Sequence, residues 1–162
     1  MHTFRTIQHS TVQIDLGSIT HNCTVIRNHI GKECGLCAVV KADGYGLGVV
    51  KVASVLGRAA NMLAVYSPDE AGEIIASGNV APLLVLSPVH SIDRLHPMYR
   101  GFSDGQLHLV LHGEDHLQSL IRISDRVGKP LNVQIKVDTG LHRGGCSLAN
   151  ARELIEKVLL DQ

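Results

Sequence analysis

Cys37-Ala-Val-Val-Lys-Ala-Asp-Gly-Tyr-Gly-Leu-Gly48 is the stretch on which the fold of this chain turns. A short apolar run ends in a single lysine, Lys41, and a turn carrying Gly44, Gly46 and Gly48 follows at once. The pattern predicts a buried strand, Ala38–Lys41, that delivers an amine to its carboxyl end. Ligands bind at those ends in parallel α/β sheets and barrels. A lysine at a strand end is most often a solvated cation. If it is partly desolvated its pKa falls, and the amine becomes nucleophilic toward a carbonyl group. The glycines let the backbone come close to a ligand. Their Gly-x-Gly-x-Gly spacing is not the Gly-x-Gly-x-x-Gly of a dinucleotide-binding turn.

On both sides of this stretch the chain alternates. Upstream, an edge-like strand is expected at Thr11–Leu16 and a helix at Ser18–Ile30, where Ile19, Val25, Ile26 and Ile30 recur at helical spacing. Downstream, a helix is expected near Val49–Gly57 and a second strand at Met62–Val65. Ser67-Pro-Asp-Glu70 then supplies a cap, a proline at the first helical position and a capping-box glutamate, for a helix that stops near Gly78. Leu83–Leu86 reads as a third strand, Ser91–Met98 as a short helix and Leu107–Leu111 as a fourth strand. Asp115–Val127 reads as a helix closed by Gly128 and Pro130. Val133–Val137 is the fifth strand, and Ser147 caps a last helix in which Ala151, Leu154, Ile155 and Val158 share a face. Five short strands alternating with helices predict an α/β fold built on a parallel sheet of βα units. Eight such units, in roughly 250 residues, close a (β/α)8 TIM-type barrel. Only about the first five are expected here, with no linker or domain boundary inside 1–162. An open five-unit sheet leaves a free edge, which should aggregate or pair with another chain.

The chain has 162 residues, with 15 basic and 15 acidic side chains and 44% hydrophobic content, which suits one ordinary domain. Zero net charge gives no electrostatic reason to expect nucleic acid or an anionic membrane as partner. No run approaches ~18 consecutive apolar residues, so no membrane span is expected. Met1-His-Thr-Phe-Arg lacks the basic-then-apolar layout of a secretory signal, which makes a cytoplasmic location the expectation. Cys23, Cys34, Cys37 and Cys146 include one Cys-x-x-Cys, without the second pair a zinc site needs. That pair precedes a strand instead of following one, so these read as ordinary thiols. The ten histidines, His90, His96, His108, His112 and His116 among them, show no metal-ligand spacing, and no metal is expected.

Residues 39–48 resemble the pyridoxal-phosphate lysine motif of alanine racemases, commonly Val-Lys-Ala-Asn/Asp-Ala/Gly-Tyr-Gly-His-Gly. Lys136-Val-Asp-Thr-Gly-Leu-His-Arg143-Gly-Gly is similar to the same family's Lys-Val-Asp-Thr-Gly-Met-x-Arg-Leu-Gly. Gln13-Ile-Asp-Leu16, Asn22 and Ser67-Pro-Asp-Glu-Ala71 agree in the right order, so the resemblance runs from about Thr11 to the last residue. It implies a fold-type III barrel that binds pyridoxal 5'-phosphate (PLP), followed by a mostly β C-terminal domain. By that comparison residues 1–162 are the N-terminal part of the barrel and the C-terminal domain is absent. The chain then reads as a fragment, a truncated product or a piece cut from something longer. The implied activity is interconversion of L- and D-alanine by two-base proton transfer on PLP, supplying D-alanine for the bacterial cell wall. A homodimer is implied for the full-length protein.

The resemblance assigns roles residue by residue. Lys41 resembles the lysine that holds PLP as a Schiff base and serves as one of two proton-transferring bases. Tyr45 matches the tyrosine that hydrogen-bonds the cofactor phosphate. Strand alternation puts Gln134, Lys136 and Asp138 on one side and Val133, Ile135 and Val137 on the other, which turns Lys136 into the barrel mouth. Asp138 is the nearest partner for that cation. The matching family lysine is often carbamylated, which makes Lys136 a candidate for the same modification. Arg143 fits the arginine that contacts the substrate carboxylate or a cofactor oxygen. Leu47 stands where the motif usually has histidine, and Leu-His-Arg-Gly-Gly-Cys146 departs from Met-x-Arg-Leu-Gly-Phe. The family's second base is a C-terminal tyrosine reaching in from the other subunit. Tyr66 and Tyr99 match neither that residue nor its neighbours, so the isolated chain is expected to be inactive. The alternatives are a non-catalytic PLP-binding remnant, or another fold-type III amino-acid racemase or lyase.

Overall fold

The computed structural model describes residues 11–160, and the expected alternation is its architecture. Five strands, β1 (Cys37–Val39), β2 (Met62–Val65), β3 (Leu83–Val85), β4 (Leu107–Leu111) and β5 (Asn132–Ile135), lie side by side in chain order. Every neighbouring pair is parallel. Around them run α1 (Leu16–Ile30), α2 (Lys41–Gly46), α3 (Val49–Ala59), α4 (Pro68–Ala76), α5 (Tyr99–Ser103), α6 (Glu114–Val127) and α7 (Leu148–Leu160). This is the succession of βα units that builds a TIM-type barrel, with β1 and β5 at the edges of the sheet.

β2 and β3 are apolar without interruption and β4 is broken only by His108, as suits strands covered on both faces. Leu63, Ala64 and Val65 of β2, Leu83 and Val85 of β3, and Leu109 and Leu111 of β4 are at most 1% exposed. Val49, Val52, Ala53 and Leu56 of α3 recur at three- and four-residue spacing and cover the sheet, as do Leu117, Leu120 and Ile123 of α6. Burying one large aliphatic side chain in this way is worth about 1.5–3 kcal/mol. The helix–sheet layer is therefore what holds the strand ends in register.

Several boundaries differ from expectation, each for a local reason. Residues 11–15 form no strand, because the Asp15 carboxylate accepts the Gly17 and Ser18 amides and starts α1 at Leu16. The 91–98 segment is irregular, and the short helix comes after it, at Tyr99–Ser103. Asp93 takes the Leu95 amide at 2.7 Å in an Asx turn, and Pro97 disfavours a helical residue before it. β1 ends at Val39, although the Val40 amide still reaches the Ala64 carbonyl at 2.8 Å. β5 ends at Ile135, and Val137 instead forms a single bridge with Cys146. All four cysteines are free.

Candidate active site

Lys41 opens α2, and this turn is left-handed. Ala42, Asp43, Gly44 and Tyr45 have φ between 53° and 62°. Such a conformation costs about 1–2 kcal/mol per L-residue, because Cβ crowds the following carbonyl. Local bonds oppose that cost. The Gly44 amide donates to the Val40 carbonyl and the Gly48 amide to the Asp43 carbonyl, each at 2.9 Å. The Asp43 carboxylate accepts the Val49 amide at 2.7 Å and so caps α3. Gly44 lies buried, where an added Cβ would come within 3.3 Å of Val52.

Glu70 supplies the remaining support. The capping box predicted at Ser67–Glu70 is present, with Pro68 at the start of α4. The same carboxylate also reaches sideways. One oxygen accepts the Ala42 amide at 2.6 Å, and the other accepts the Tyr66 amide at 2.7 Å. Glu70 thereby ties the residue after Lys41 to the loop after β2. The capping pattern reveals the helix start but not this second duty, which depends on a partner 28 residues away.

At the far edge, the loop after β5 doubles back on its own strand. The Cys146 amide donates to the Lys136 carbonyl at 2.9 Å and the Asp138 amide to the Cys146 carbonyl at 2.8 Å. Gly145 makes this possible: its φ is +111°, and a Cβ there would lie 2.9 Å from the Lys136 carbonyl oxygen. The fold-back brings Arg143 over the strand ends. Asp138, a partner the sequence offers for Lys136, does not pair with it. Its carboxylate accepts the Gly140 and His142 amides, both at 3.0 Å, and faces His142 Nδ1 at 3.1 Å. Those backbone bonds hold the Asp138 carboxyl below its ordinary pKa.

Lys41, Lys136 and Arg143 meet in one cavity of about 730 Å³ at the carboxyl ends of the strands. Tyr66, His112 and the Leu86–Pro88 segment complete much of its wall, and no acidic side chain lines it. Among the described residues, none of the three cations forms an ion pair. Lys41 Nζ lies 5.9 Å from the centre of the Tyr66 ring, a cation–π distance. Tyr66 is thus a cavity residue that its place in the sequence did not disclose. Tyr45 is not part of this cavity wall; it is 62% exposed on the turn after Lys41. A second cavity, of about 640 Å³, lies against α6, β5 and α7, but its walls are mainly apolar and hold no Lys, Arg, Asp or Glu. The chemistry is concentrated in the first.

A parallel succession of βα units, with a cation-lined cavity at the carboxyl ends of its strands, defines the molecule as a barrel-type protein. More specifically, a family model for the alanine racemase N-terminal domain matches residues 14–161, and the chain belongs to that family. Alanine racemase of Mycobacterium tuberculosis is 40% identical over 136 residues, which cover 82% of this chain and 33% of the relative. That of Synechocystis is 32% identical over 149 residues, covering 91% of this chain and 39% of the relative. The crystal structure of alanine racemase from D-cycloserine-producing Streptomyces lavendulae matches with a TM-score of 0.78 at 27% identity, over 92% of this chain and 38% of that one. The Corynebacterium glutamicum alanine racemase structure gives 0.73 at 30% identity, over 91% and 40%. The chain spans about a third of the length of the first curated relatives it matches.

Proposed function

We propose that this chain carries the PLP-bearing side of an alanine racemase active site, with Lys41 as the lysine that holds the cofactor. The observation behind this reading is the cavity in which Lys41, Lys136 and Arg143 stand together without an acid. A ligand with a phosphate and a carboxylate complements such a set of donors. When bound, PLP supplies an electron sink that makes the α-proton of an amino acid removable. In this reading Lys41 Nζ accepts that proton on one face of the alanine. Arg143 offers its planar fork to the carboxylate, and Tyr45 offers a neutral hydroxyl to the phosphate from the outer side of the turn. Glu70 keeps the Lys41 turn at a fixed distance from the β2 end.

Lys136 is proposed as a carbamylated lysine. Its neutral amine adds carbon dioxide, forming an N–C bond and releasing a proton, and the resulting anion gives Arg143 a partner. Density beyond Lys136 Nζ in a high-resolution map is the expected result, and a bare amine there contradicts it. The opposing base belongs, in this reading, to a β domain of a second subunit.

The test is hydrogen exchange in place of racemisation. With one base on one face, the chain plus PLP should exchange the α-proton of one alanine enantiomer for deuterium without inverting it. Lys41→Ala should reduce that rate to the level of free PLP. Equal exchange by wild type and Lys41→Ala would refute the catalytic reading. Lys41-dependent absorbance without exchange would instead favour a protein that binds the cofactor and does not turn over.

A further inference from the structure

Arg143 has no ion-pair partner among the described residues, so its place over the cavity is set by its backbone. That backbone is anchored on both sides. The Asp138 carboxylate holds the Gly140 and His142 amides, and Cys146 is bonded back to Lys136 and Asp138. Between these anchors come Gly144 and Gly145, with φ of +112° and +111°. Two successive glycines leave a backbone more freedom than any other pair of residues. Gly145 is limited by its close approach to the Lys136 carbonyl, whereas Gly144 has a different neighbour.

That neighbour is the ring of His112. A Cβ added to Gly144 would lie 3.1 Å from His112 Nδ1 and 3.7 Å from its Cε1, and outside the adjoining residues it would meet nothing else within 4 Å. The ring is itself firmly held. His112 follows β4, whose last carbonyl, on Leu111, accepts the Lys136 amide at 2.9 Å. His112 Nε2 donates to the Leu86 carbonyl at 3.0 Å, past the end of β3, which leaves the Nδ1 edge turned toward Gly144. The His112 amide donates to His116 Nδ1 at 3.3 Å. His116, in the first turn of α6, is 4% exposed and donates from Nε2 to the Val89 carbonyl at 3.0 Å. Its ring packs 5.1 Å from that of His90 and 5.8 Å from that of His112.

The His112 ring is therefore a fixed wedge between the end of β3 and the Arg143 loop, and Leu86, His112 and Gly144 all line the cavity. We propose that His112 is a positioning residue for Arg143: its ring is the stop against which Gly144 rests, and it sets where the guanidinium meets a ligand carboxylate. A flat ring suits this task, because packed interiors transmit a displacement instead of absorbing it. Arg143 recognises the anion, and His112 keeps Arg143 at the right distance.

The inference rests on the cofactor reading for its ligand but not for its contact, so the experiment has two arms. The first needs no ligand and is a double-mutant cycle in urea over Gly144→Ala and His112→Ala. Backbone strain from a side chain at position 144 is common to both backgrounds and cancels. Gly144→Ala should lower the unfolding midpoint further in the wild type than in His112→Ala. Equal shifts would overturn the stop.

The second arm compares two probes, pyridoxamine 5'-phosphate and the borohydride-reduced conjugate of PLP with alanine. They share the phosphate and ring, neither has an aldehyde for Lys41 to attack, and only the conjugate has a carboxylate. The ratio of their Kd values thus isolates the carboxylate, whatever a substitution does to the shared part. The wild type should favour the conjugate about tenfold, and Arg143→Ala should bring the ratio close to one. A wild-type ratio near one would refute the carboxylate role of Arg143 and the proposal with it.

His112→Ala should lose most of the preference. His112→Phe keeps a ring without the Leu86 bond and should restore it. His112→Gln keeps a donor for Leu86 without the ring edge and should not. A preference that survives His112→Ala, that Gln restores or that Phe does not, would overturn the proposal. In the Arg143→Ala background, His112→Ala should change the ratio no further. A further change would mean that His112 touches the carboxylate itself, which contradicts a positioning role. Should His112→Ala fail to fold, His112→Gln takes its place in both arms. If the wild type binds neither probe, the cofactor reading is lost, and the urea cycle alone decides whether the stop stands.

Discussion

Asn61, Asn79, Gln106 and Asn132 stand just before or at the start of β2, β3, β4 and β5, and each closes a loop at the amino end of its strand. Asn61 accepts the Leu36 amide at 2.8 Å, and Asn79 donates to the Ala53 carbonyl at 2.8 Å while accepting the Ala81 amide at 2.9 Å. Gln106 donates to the Asn79 and Ala81 carbonyls at 2.9 and 2.7 Å, and Asn132 to the Gly105 and Leu107 carbonyls at 3.2 and 3.3 Å. At the opposite, carboxyl rim of the sheet, Lys41 after β1 and Lys136 and Arg143 after β5 have no ion-pair partner among the described residues. Neutral amides both donate and accept, and they settle the backbone without demanding a counter-ion. Cations left unpaired remain available to a ligand. One rim is devoted to stability and the other keeps its chemistry open.

Substitutions at the two rims should separate these roles. The largest effect is expected at Gly145, where Gly145→Val forces a side chain into the Lys136 backbone at a strained φ. It should cost about 3 kcal/mol in urea unfolding and remove Lys41-dependent binding of PLP as well. Gln106→Ala, at the opposite rim, strands two carbonyls in a buried place and should cost about 2 kcal/mol. The protein that remains folded should bind PLP as before; if its affinity falls, the division between the rims is wrong.

Glu70→Gln should be milder in stability, about 1.5 kcal/mol, because one carbonyl oxygen replaces two carboxylate oxygens. Its signature should be an affinity for PLP about tenfold lower, measured by titration, which corresponds to about 1.4 kcal/mol.

The pH effect is smaller. His112 and His116 are held below the ordinary value of 6.5 in the folded chain, so the unfolded chain binds more protons as pH falls through that value. Their contribution is complete above the unfolded pKa and declines as pH drops from there toward the lower folded pKa. Urea unfolding of the His112→Gln/His116→Gln variant should lack this decline. Tyr45→Phe should matter least, changing stability by under about 0.5 kcal/mol and PLP affinity by about threefold.

The central strands and α4 were legible because their signals are local, in apolar runs and in Ser67-Pro-Asp-Glu70. Lys41, Lys136 and Arg143 were legible through the two motifs, and strand alternation correctly turned Lys136 toward the cavity. The left-handed turn was not, because Ala42, Asp43 and Tyr45 do not favour positive φ themselves; a distant carboxylate and the β1–α3 connection impose it. Spacing also hid the histidine cluster, because His90 reaches His112 and His116 only after folding. Asp15 and Asp93 misled the reading for a related reason, since a short carboxylate that captures nearby amides outweighs an apolar pattern.

The most direct test of the open rim is a spectrum. With PLP added, the wild-type chain should develop a new visible absorbance band, and Lys41→Ala should show none while unfolding at the same urea concentration. The same band in both proteins, or in neither, would contradict the assignment of Lys41 as the residue that holds the cofactor.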